Sequence, residues 1–258
     1  MNTPQKEFKF PPRIKAPQII PHFLEGSDAE AFLEEYNVRV KENYNDNKNL
    51  KVLFYDNSLV KGSNAFAPIL VNQILENQGY RTATLSDIEQ TLRDGDTLDI
   101  KGNYYVDLGI VLRSRGNPNS YLANNLADQI ENRKIKLNNP LYIPSSSLEL
   151  ICDDRSKDYG LSFKSKENAE IIEAPQFIIE NDRKKFSKTN EKGFPIFDEN
   201  GSRRIWTRKD GLCGLSLGRN LGLYSDDDDL ADSGDDGRVV VVSGEATHAS
   251  LPNILAKN

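Results

Sequence analysis

The stretch from Gly211 to Val242 limits the possible folds more than any other part of the chain. Leucine occupies positions 215, 217, 221 and 223, and only Arg219 interrupts the alternation. The even positions between them are Gly214, Ser216, Gly218, Asn220, Gly222 and Tyr224. Successive side chains of an extended chain point to opposite faces, so this spacing predicts a strand with a buried leucine face and an exposed face of small or polar groups. Three glycines on one strand face need a reason, because glycine loses the most conformational entropy on folding and packs nothing. Next come Asp226, Asp227, Asp228 and Asp229, then Leu230, Asp232-Ser233-Gly234-Asp235-Asp236 and Gly237-Arg238. After them Val239-Val240-Val241-Val242 reads as a second buried strand.

Charge is concentrated in the same stretch. Seven of the 39 acidic residues lie between Asp226 and Asp236, and without them the chain carries 33 basic against 32 acidic groups. The net charge of −6 is therefore a property of one segment. The evenly charged remainder has no basic stripe of the kind a phosphate backbone requires, so nucleic acid is not an expected partner. With 37 % hydrophobic residues among 258, the chain can bury a sizeable core. No apolar run approaches the roughly 20 residues of a membrane span, so membrane insertion is not expected. Met1-Asn2-Thr3-Pro4-Gln5-Lys6 lacks the apolar block of a secretory signal. The expectation is a soluble, cytoplasmic chain that would reach a cell surface only through a partner. Cys152, Cys213, His22 and His248 are too few for a zinc cluster or a disulfide framework.

The residue vocabulary of this region is also restricted. Outside the acidic run the chain has 15 Asp and 17 Glu, so seven Asp without one Glu departs far from its composition. Lys, Gln, Met, Thr, Ile and Pro are likewise missing from Gly211 to Asp236, whose exposed positions draw on Asp, Gly, Ser, Asn, Tyr and Cys. All of these are among the products of an AAY asparagine codon when only its adenines are replaced. One change gives Asp, Ser or Tyr, and two give Gly or Cys, whereas Glu, Lys, Gln and Met need a purine at the third base. Here the chain resembles the variable proteins of diversity-generating retroelements, whose reverse transcription is error-prone at template adenines. The segment Gly237-Arg238-Val239-Val240-Val241-Val242 is similar to the fixed tail of such a region, most like the archaeal branch.

The resemblance implies a C-type-lectin-like fold in which a fixed apolar framework carries Asn-derived residues over a binding surface. Arg81-Thr82-Ala83-Thr84-Leu85-Ser86-Asp87-Ile88-Glu89 is similar to the Arg-Leu-Pro-Thr-x-x-Glu-Trp-Glu element that opens the second helix of formylglycine-generating-type lectin folds. Arg81, Thr84 and Glu89 or its neighbour match, while Pro and Trp are absent. Those relatives depend on reactive cysteines, and a shared fold would not confer the chemistry. The resemblance covers Ile205 to Ser243 and, faintly, Asn64 to Asp94.

The rest of the chain supplies a coarse outline. Residues 1–21 hold five of the twelve prolines, which predicts an extended arm. Phe32, Leu33, Tyr36 and Val40 recur at helical spacing behind Ser27-Asp28, a cap for a short amphipathic helix over 29–40. Val52 to Tyr55 reads as a buried strand. Ser63-Asn64 opens a helix through Phe66, Ile69, Leu70, Ile74 and Leu75 that Gly79 stops, and Ser86 with Glu89 forms a capping box for a second helix to about Arg93. Tyr104 to Leu112 is a strong strand, and Asn119 to Arg133 a helix. Leu141–Ile143, Leu148–Ile151, Gly160–Phe163 and Phe177–Ile179 read as strands. Lys184 to Arg204, polar and broken by Gly193-Phe194-Pro195 and Asn200-Gly201, reads as a solvated hairpin or loop. Trp206, the only tryptophan, reads as core rather than as a ligand platform.

The expected architecture is an α+β, C-type-lectin-like domain over 50–258, with two main helices and small, mostly antiparallel sheets. Residues 1–49 supply the proline-rich arm and short helix, and the variable region spans about 211–238. The expected function is non-enzymatic binding of a basic macromolecular ligand, with no cofactor, catalytic residue or metal ligand. Ser216, Gly218, Asn220, Gly222, Tyr224, Asp226, Asp227, Asp228, Asp229, Asp232, Gly234, Asp235 and Asp236 form the binding surface. Leu212, Leu215, Leu217, Leu221, Leu223, Leu230 and Val239 to Val242 form the buried framework.

Three rivals stand beside this reading. A solvated acidic tail or disordered insert is the plain account of a charge run. A calcium-dependent carbohydrate-binding lectin suits clustered carboxylates, although as an EF-hand loop starting at Asp232 the segment has Gly234 and Ser243 where ligands belong. A nucleotide-dependent enzyme is suggested by Asp56-Asn57-Ser58 after a strand and Gly62-Ser63-Asn64 before a helix, yet neither Gly-x-Gly-x-x-Gly nor a Walker loop is present.

Overall fold

A computed structural model describes residues 22–95, 102–178 and 184–243. The proline-rich arm, Ile179 and His248 lie outside the described residues.

β1 (His22–Phe23) leads into α1 (Gly26–Asn43), which starts earlier than the Ser27-Asp28 signal predicts. Its N-cap is the extended Glu25, with no side-chain bond, and the Gly26 amide donates to the Ser58 carbonyl at 2.7 Å. A neighbouring hairpin therefore satisfies the amide that a cap would hold. Phe32, Tyr36 and Val40 are buried as their spacing requires, and the Tyr36 hydroxyl donates to the Leu50 carbonyl at 2.9 Å. That hairpin is β2 (Phe54–Asp56) with β3 (Leu59–Lys61), and Asn57 and Ser58 at its tip have φ of 51° and 62°. Positive φ at both central residues is the signature of a tight two-residue hairpin turn. The strand expected at Val52–Tyr55 is thus short and half-buried, and Asp56-Asn57-Ser58 turns the chain rather than opening a phosphate loop.

α2 (Ala67–Leu75) is buried almost all round. Asn64 Oδ1 accepts from the amides of Phe66 and Ala67, both at 3.0 Å, and Gly79 ends the segment with φ of 75°. After β4 (Tyr80–Thr82), α3 (Leu85–Asp94) is capped by Thr84 and Asp87 rather than by Ser86 and Glu89. Asp87 also takes the guanidinium of Arg81, so Arg81, Thr84 and Asp87 form one network. Glu89 is instead buried in a two-pronged ion pair with Arg203.

β5 (Tyr105–Leu112), α4 (Ser120–Asn132), β6 (Leu141–Pro144), β7 (Leu148–Cys152), β8 (Leu161–Ser165) and β9 (Ile172–Glu173) follow. Phe177 ends a one-turn 3₁₀ helix, Pro175–Phe177, where a strand was expected. β10 (Lys185–Thr189), β11 (Pro195–Phe197), β12 (Arg203–Thr207), β13 (Leu212–Leu217), β14 (Leu223–Ser225), β15 (Gly237–Arg238) and β16 (Val240–Ser243) complete the chain.

The fold is α+β, with four α-helices and one large sheet among the described residues, which corrects the expectation of two main helices and small sheets. The nine-stranded sheet has the order β11-β10-β12-β14-β13-β5-β6-β9, with β15 also paired to β5. Most pairs are antiparallel, while β12 with β14 and β15 with β5 are parallel. A second sheet runs β1-β16-β4. The segment expected as a solvated hairpin or loop, Lys184 to Arg204, holds the antiparallel hairpin β10–β11, but it joins the large sheet through β12 and buries Phe186 and Phe194 instead of being solvated throughout.

β5 and β13 divide the interior. Ile110, Leu112 and Leu212 join one hydrophobic cluster with Phe32, Phe66 and Leu126 of the helices, while Val106, Leu108, Leu215 and Leu217 join another with Phe186, Phe194 and Ile205. The register of β13 on β5 slips between Leu215↔Gly109 and Ser216↔Asp107, so Leu108 is left over as a bulge. One extra residue reverses the alternation of a strand. Tyr105 and Asp107 therefore share a face with Ile110 and Leu112. Among the described residues no helix is long and apolar enough to cross a membrane.

Candidate functional site

Where the helices no longer cover that face, the sheet forms the floor of a cleft of about 620 Å³. β5 contributes Tyr105 and Asp107, β13 contributes Gly214 and Ser216, and β14 contributes Tyr224. Ser216 is the register partner of both Asp107 and Tyr224, which brings the three strands' polar positions together. The loop 226–236 forms the opposite wall, with Asp226, Asp227, Asp229, Asp232 and Asp236 lining it.

This acidic loop is tied down rather than solvated as a tail. Leu230 is buried in the helix-side core, its carbonyl accepts from the Ala65 amide at 3.2 Å and its amide donates to the Tyr159 hydroxyl at 3.2 Å. Asn119 Nδ2 donates to the Asp228 carbonyl at 3.0 Å. Two aspartates bend their own backbone: Asp227 Oδ1 accepts from the Asp229 amide and Asp229 Oδ1 from the Ala231 amide, each at 2.9 Å. Short carboxylates form such turns readily, which accounts for Asp at these two positions. The far end hangs on Tyr105, whose hydroxyl donates to the Ser63 carbonyl at 2.6 Å and accepts from the Gly234 amide at 2.9 Å.

Asp107 sits at the bottom of the cleft. Its Oδ2 and the neighbouring Ser63 hydroxyl are both shut off from solvent, and the hydroxyl stands beside the carboxyl without a hydrogen bond of good geometry. Burial pushes this carboxyl up to about 7, and the charges of Asp227 and Asp232 push in the same direction while Ser63 opposes them. Desolvation disfavours a carboxylate, and nearby carboxylates add repulsion. Burial likewise raises Asp226. Beneath the floor, Arg113 joins β12 and β14 by donating to Thr207 Oγ1 at 2.6 Å and to the Ser225 carbonyl at 2.7 Å, and burial lowers it to about 10.

The end wall is aromatic. Tyr224 stacks on Trp206, with ring centroids 4.3 Å apart, so Trp206 is a half-buried support for a cleft residue rather than a core side chain. The glycines flanking the turn make room for these rings. A Cβ on Gly218 would stand 2.5 Å from Tyr224 Cε2, and one on Gly222 would stand 2.5 Å from Trp206 Cζ3.

The structure brings Ser216, Gly218, Asn220, Tyr224, Asp226, Asp227, Asp229, Asp232, Gly234 and Asp236 into the cleft, ten of the thirteen positions expected from sequence. Asp228 and Asp235 are exposed outside it, and Asp228 pairs at 3.4 Å with Arg208. Gly222, expected to face solvent, is buried. The leucine alternation is not one strand. It breaks at a turn closed by the Gly218 amide on the Gly222 carbonyl at 2.9 Å, which leaves Leu221 half-buried at φ of 59° instead of in the framework. Arg219 occupies the same turn, and its Nε donates to Asp236 Oδ2 at 2.6 Å. Sequence reasoning missed Asp107 and Tyr105. The available signal was a lone carboxylate inside the apolar strand Tyr104 to Leu112.

No family model, curated protein or solved structure matches this chain.

Among the described residues no group of three or more His, Cys, Asp or Glu side chains has an arrangement that could hold a metal ion. Cys152 is exposed and Cys213 is buried, and both are free thiols.

Proposed function

We propose that this chain is a non-enzymatic binding protein of the diversity-generating retroelement type, of the archaeal branch, which presents variable residues on a C-type-lectin-like scaffold. One observation supports the reading above the rest. Positions selected by codon vocabulary and alternation converge on a single cleft, while Leu215, Leu217, Leu223 and Leu230 beneath them are buried. Division of labour of this kind is physically permissive. Exposed substitutions usually shift stability by about ±0.5 kcal/mol, whereas core truncations cost roughly 2–5 kcal/mol. The lining of this copy is dominated by carboxylates, which favours a basic protein partner and salt-sensitive association.

The test is the sequence of the genomic locus. The reading expects a near-copy of the codons for Gly211 to Arg238, close to a reverse transcriptase gene, differing only where the copy carries adenine. A complete locus without such a repeat overturns it. Thermal stabilisation by calcium, reversed by chelator, would instead favour the calcium-dependent lectin.

A further inference from the structure

We infer that the cleft accepts one organic cation, the guanidinium or ammonium of an arginine or lysine side chain on a protein partner, seated against Asp107. The inference rests on the binding reading above and specifies which part of a basic partner enters the site.

Four observations carry it. First, Asp107 is a half-buried carboxyl on the cleft floor with no ion-pair partner among the described residues, its Oδ2 closed off from solvent beside the Ser63 hydroxyl. A carboxylate so placed is costly without a counter-charge, and a cation entering the cleft supplies one at the part of the carboxyl that the cleft leaves open. Second, six carboxylates line the cleft against one guanidinium, that of Arg219, which is already bonded to Asp236. This balance rejects phosphate and carboxylate ligands, and a neutral polyol would leave the repulsion among the aspartates unrelieved. Third, about 620 Å³ is the size of a site for a small organic group, not for a bare ion, and no metal-holding cluster exists among the described residues. Fourth, the Tyr105 hydroxyl, the other polar group of β5 in the cleft, is committed to Ser63 and Gly234, so Asp107 is the group of that strand left to meet a cation.

Asp107 belongs to β5, outside 211–238. The cation acceptor would therefore be common to every copy with a different variable region, and the variable rim would choose which basic partner is admitted. The groups facing Asp107 are the Ser63 hydroxyl, Tyr105 on its own strand, Ser216 across the sheet, and Asp227 and Asp232 on the acidic loop.

The experiment titrates the full chain by calorimetry at low salt with N-acetyl-arginine-N-methylamide, its lysine counterpart, its neutral citrulline counterpart and free agmatine. Expected are binding of the arginine or lysine probe, none of the citrulline probe, and at least a tenfold loss in Asp107→Asn. Near pH 6.5, binding to the wild type should release protons, and this release should vanish in the variant. Ser216→Phe, which fills the cleft from the facing strand, should also abolish binding, and a circular dichroism spectrum checks that each variant folds. Equal affinity for the citrulline probe, no binding of any cationic probe, or unchanged affinity in Asp107→Asn overturns the inference. So does loss in Asp227→Asn or Asp232→Asn alone, because the loop would then act without the floor. Agmatine binding without the blocked amino acids replaces the protein side chain with a free small cation. Cation binding in a chain whose locus lacks the template repeat sinks the variable-protein reading and leaves this inference standing, and the reverse result does the opposite.

Discussion

Trp206 and Tyr224 lie face to face, with planes 5° from parallel and centroids 4.3 Å apart, as register partners across the parallel pair β12 and β14. Parallel pairing sets the two side chains on one face of the sheet, and the glycines at 218 and 222 leave the rings the space they occupy. The small residues that alternate with leucine are therefore of two kinds. Gly218 and Gly222 are demanded by aromatic packing. Gly214 is not, since a Cβ there would meet Ala65 Cβ at an ordinary 3.5 Å.

Gly222→Ala and Gly218→Ala should each destabilise the protein by about 1–3 kcal/mol through overpacking, and Gly214→Ala by no more than about 0.5 kcal/mol. Urea unfolding followed by Trp206 fluorescence reads all three. The cost of Gly218→Ala should largely disappear in combination with Tyr224→Ser, which removes the clashing ring, and full additivity in that double-mutant cycle would refute the coupling.

Leu221 and Leu223 should differ sharply despite equal standing in the alternation. Leu223→Ala removes a fully buried side chain and should cost about 2–5 kcal/mol. Leu221 is half-buried in a left-handed conformation that strains any residue with a Cβ by roughly 1–2 kcal/mol. Leu221→Gly should therefore be close to neutral, as the relief of strain offsets the lost contact. A Leu221→Gly variant that unfolds as readily as Leu223→Ala would count against this account.

The aspartates of the loop divide by what they hold. Replacing Asp226 and Asp228 together by Ser should leave the melting temperature unchanged or raise it, because like-charge repulsion falls and the exposed pair of Asp228 with Arg208 is weak. Asp227→Ala and Asp229→Ala should each cost about 1 kcal/mol through loss of a turn hydrogen bond, and Ser at either position should recover part of it. Scanning calorimetry of the five variants separates the two groups.

Asp107 should make stability depend on pH in the direction opposite to a salt-bridged carboxylate. Its folded value is raised to about 7, whereas an unfolded aspartate titrates near about 3.9, so the folded state binds more protons between those limits. The contribution is fully present below about pH 4 and is lost as pH rises towards 7. Asp107→Asn should raise the melting temperature at pH 7.5 relative to wild type and flatten the decline between pH 4 and 7. Parallel curves for the two proteins would show that the carboxyl is not titrating in that window.

The pair Glu89 and Arg203 joins α3 to β12 with little access to water, and Arg203 also lies 4.5 Å over the Phe186 ring. Glu89→Ala should cost about 3–5 kcal/mol because it leaves a buried guanidinium unpaired, and adding Arg203→Met should restore part of the loss. Chemical denaturation of the single and double variants checks this, and a double variant worse than the single would contradict it.

Local pattern carried much of the fold. The spacing of Phe32, Tyr36 and Val40, the apolar run ending at Leu112, the caps around α2 and the leucine alternation of β13 are all short-range signals, because helix and strand periodicity are properties of consecutive residues. They located all four helices to within about three residues at each end and singled out the face that lines the cleft. Where local chemistry offered two equivalent solutions, the choice was tertiary. Ser86 and Glu89 satisfy a capping box as well as Thr84 and Asp87 do, and Glu89 is withdrawn from it because Arg203, distant in sequence, takes its carboxylate into the core. Lys184 to Arg204 is polar by composition, yet it becomes sheet because Phe186 and Phe194 find a cluster built from residues far away in the chain.

The cleft divides in the same way. Which residues are small, acidic or aromatic between Gly211 and Asp236 is written in order along the chain, and so is the leucine face that must be buried. The depth of the cleft, the stack of Tyr224 on Trp206 and the unpaired carboxyl of Asp107 are not. Each arises from pairing between segments about 20 to more than 100 residues apart, and one bulged residue, Leu108, decides whether Asp107 faces the cleft or the core. Alternation carries no information about which strand lies alongside, because register is set by packing across the sheet and not by the strand itself.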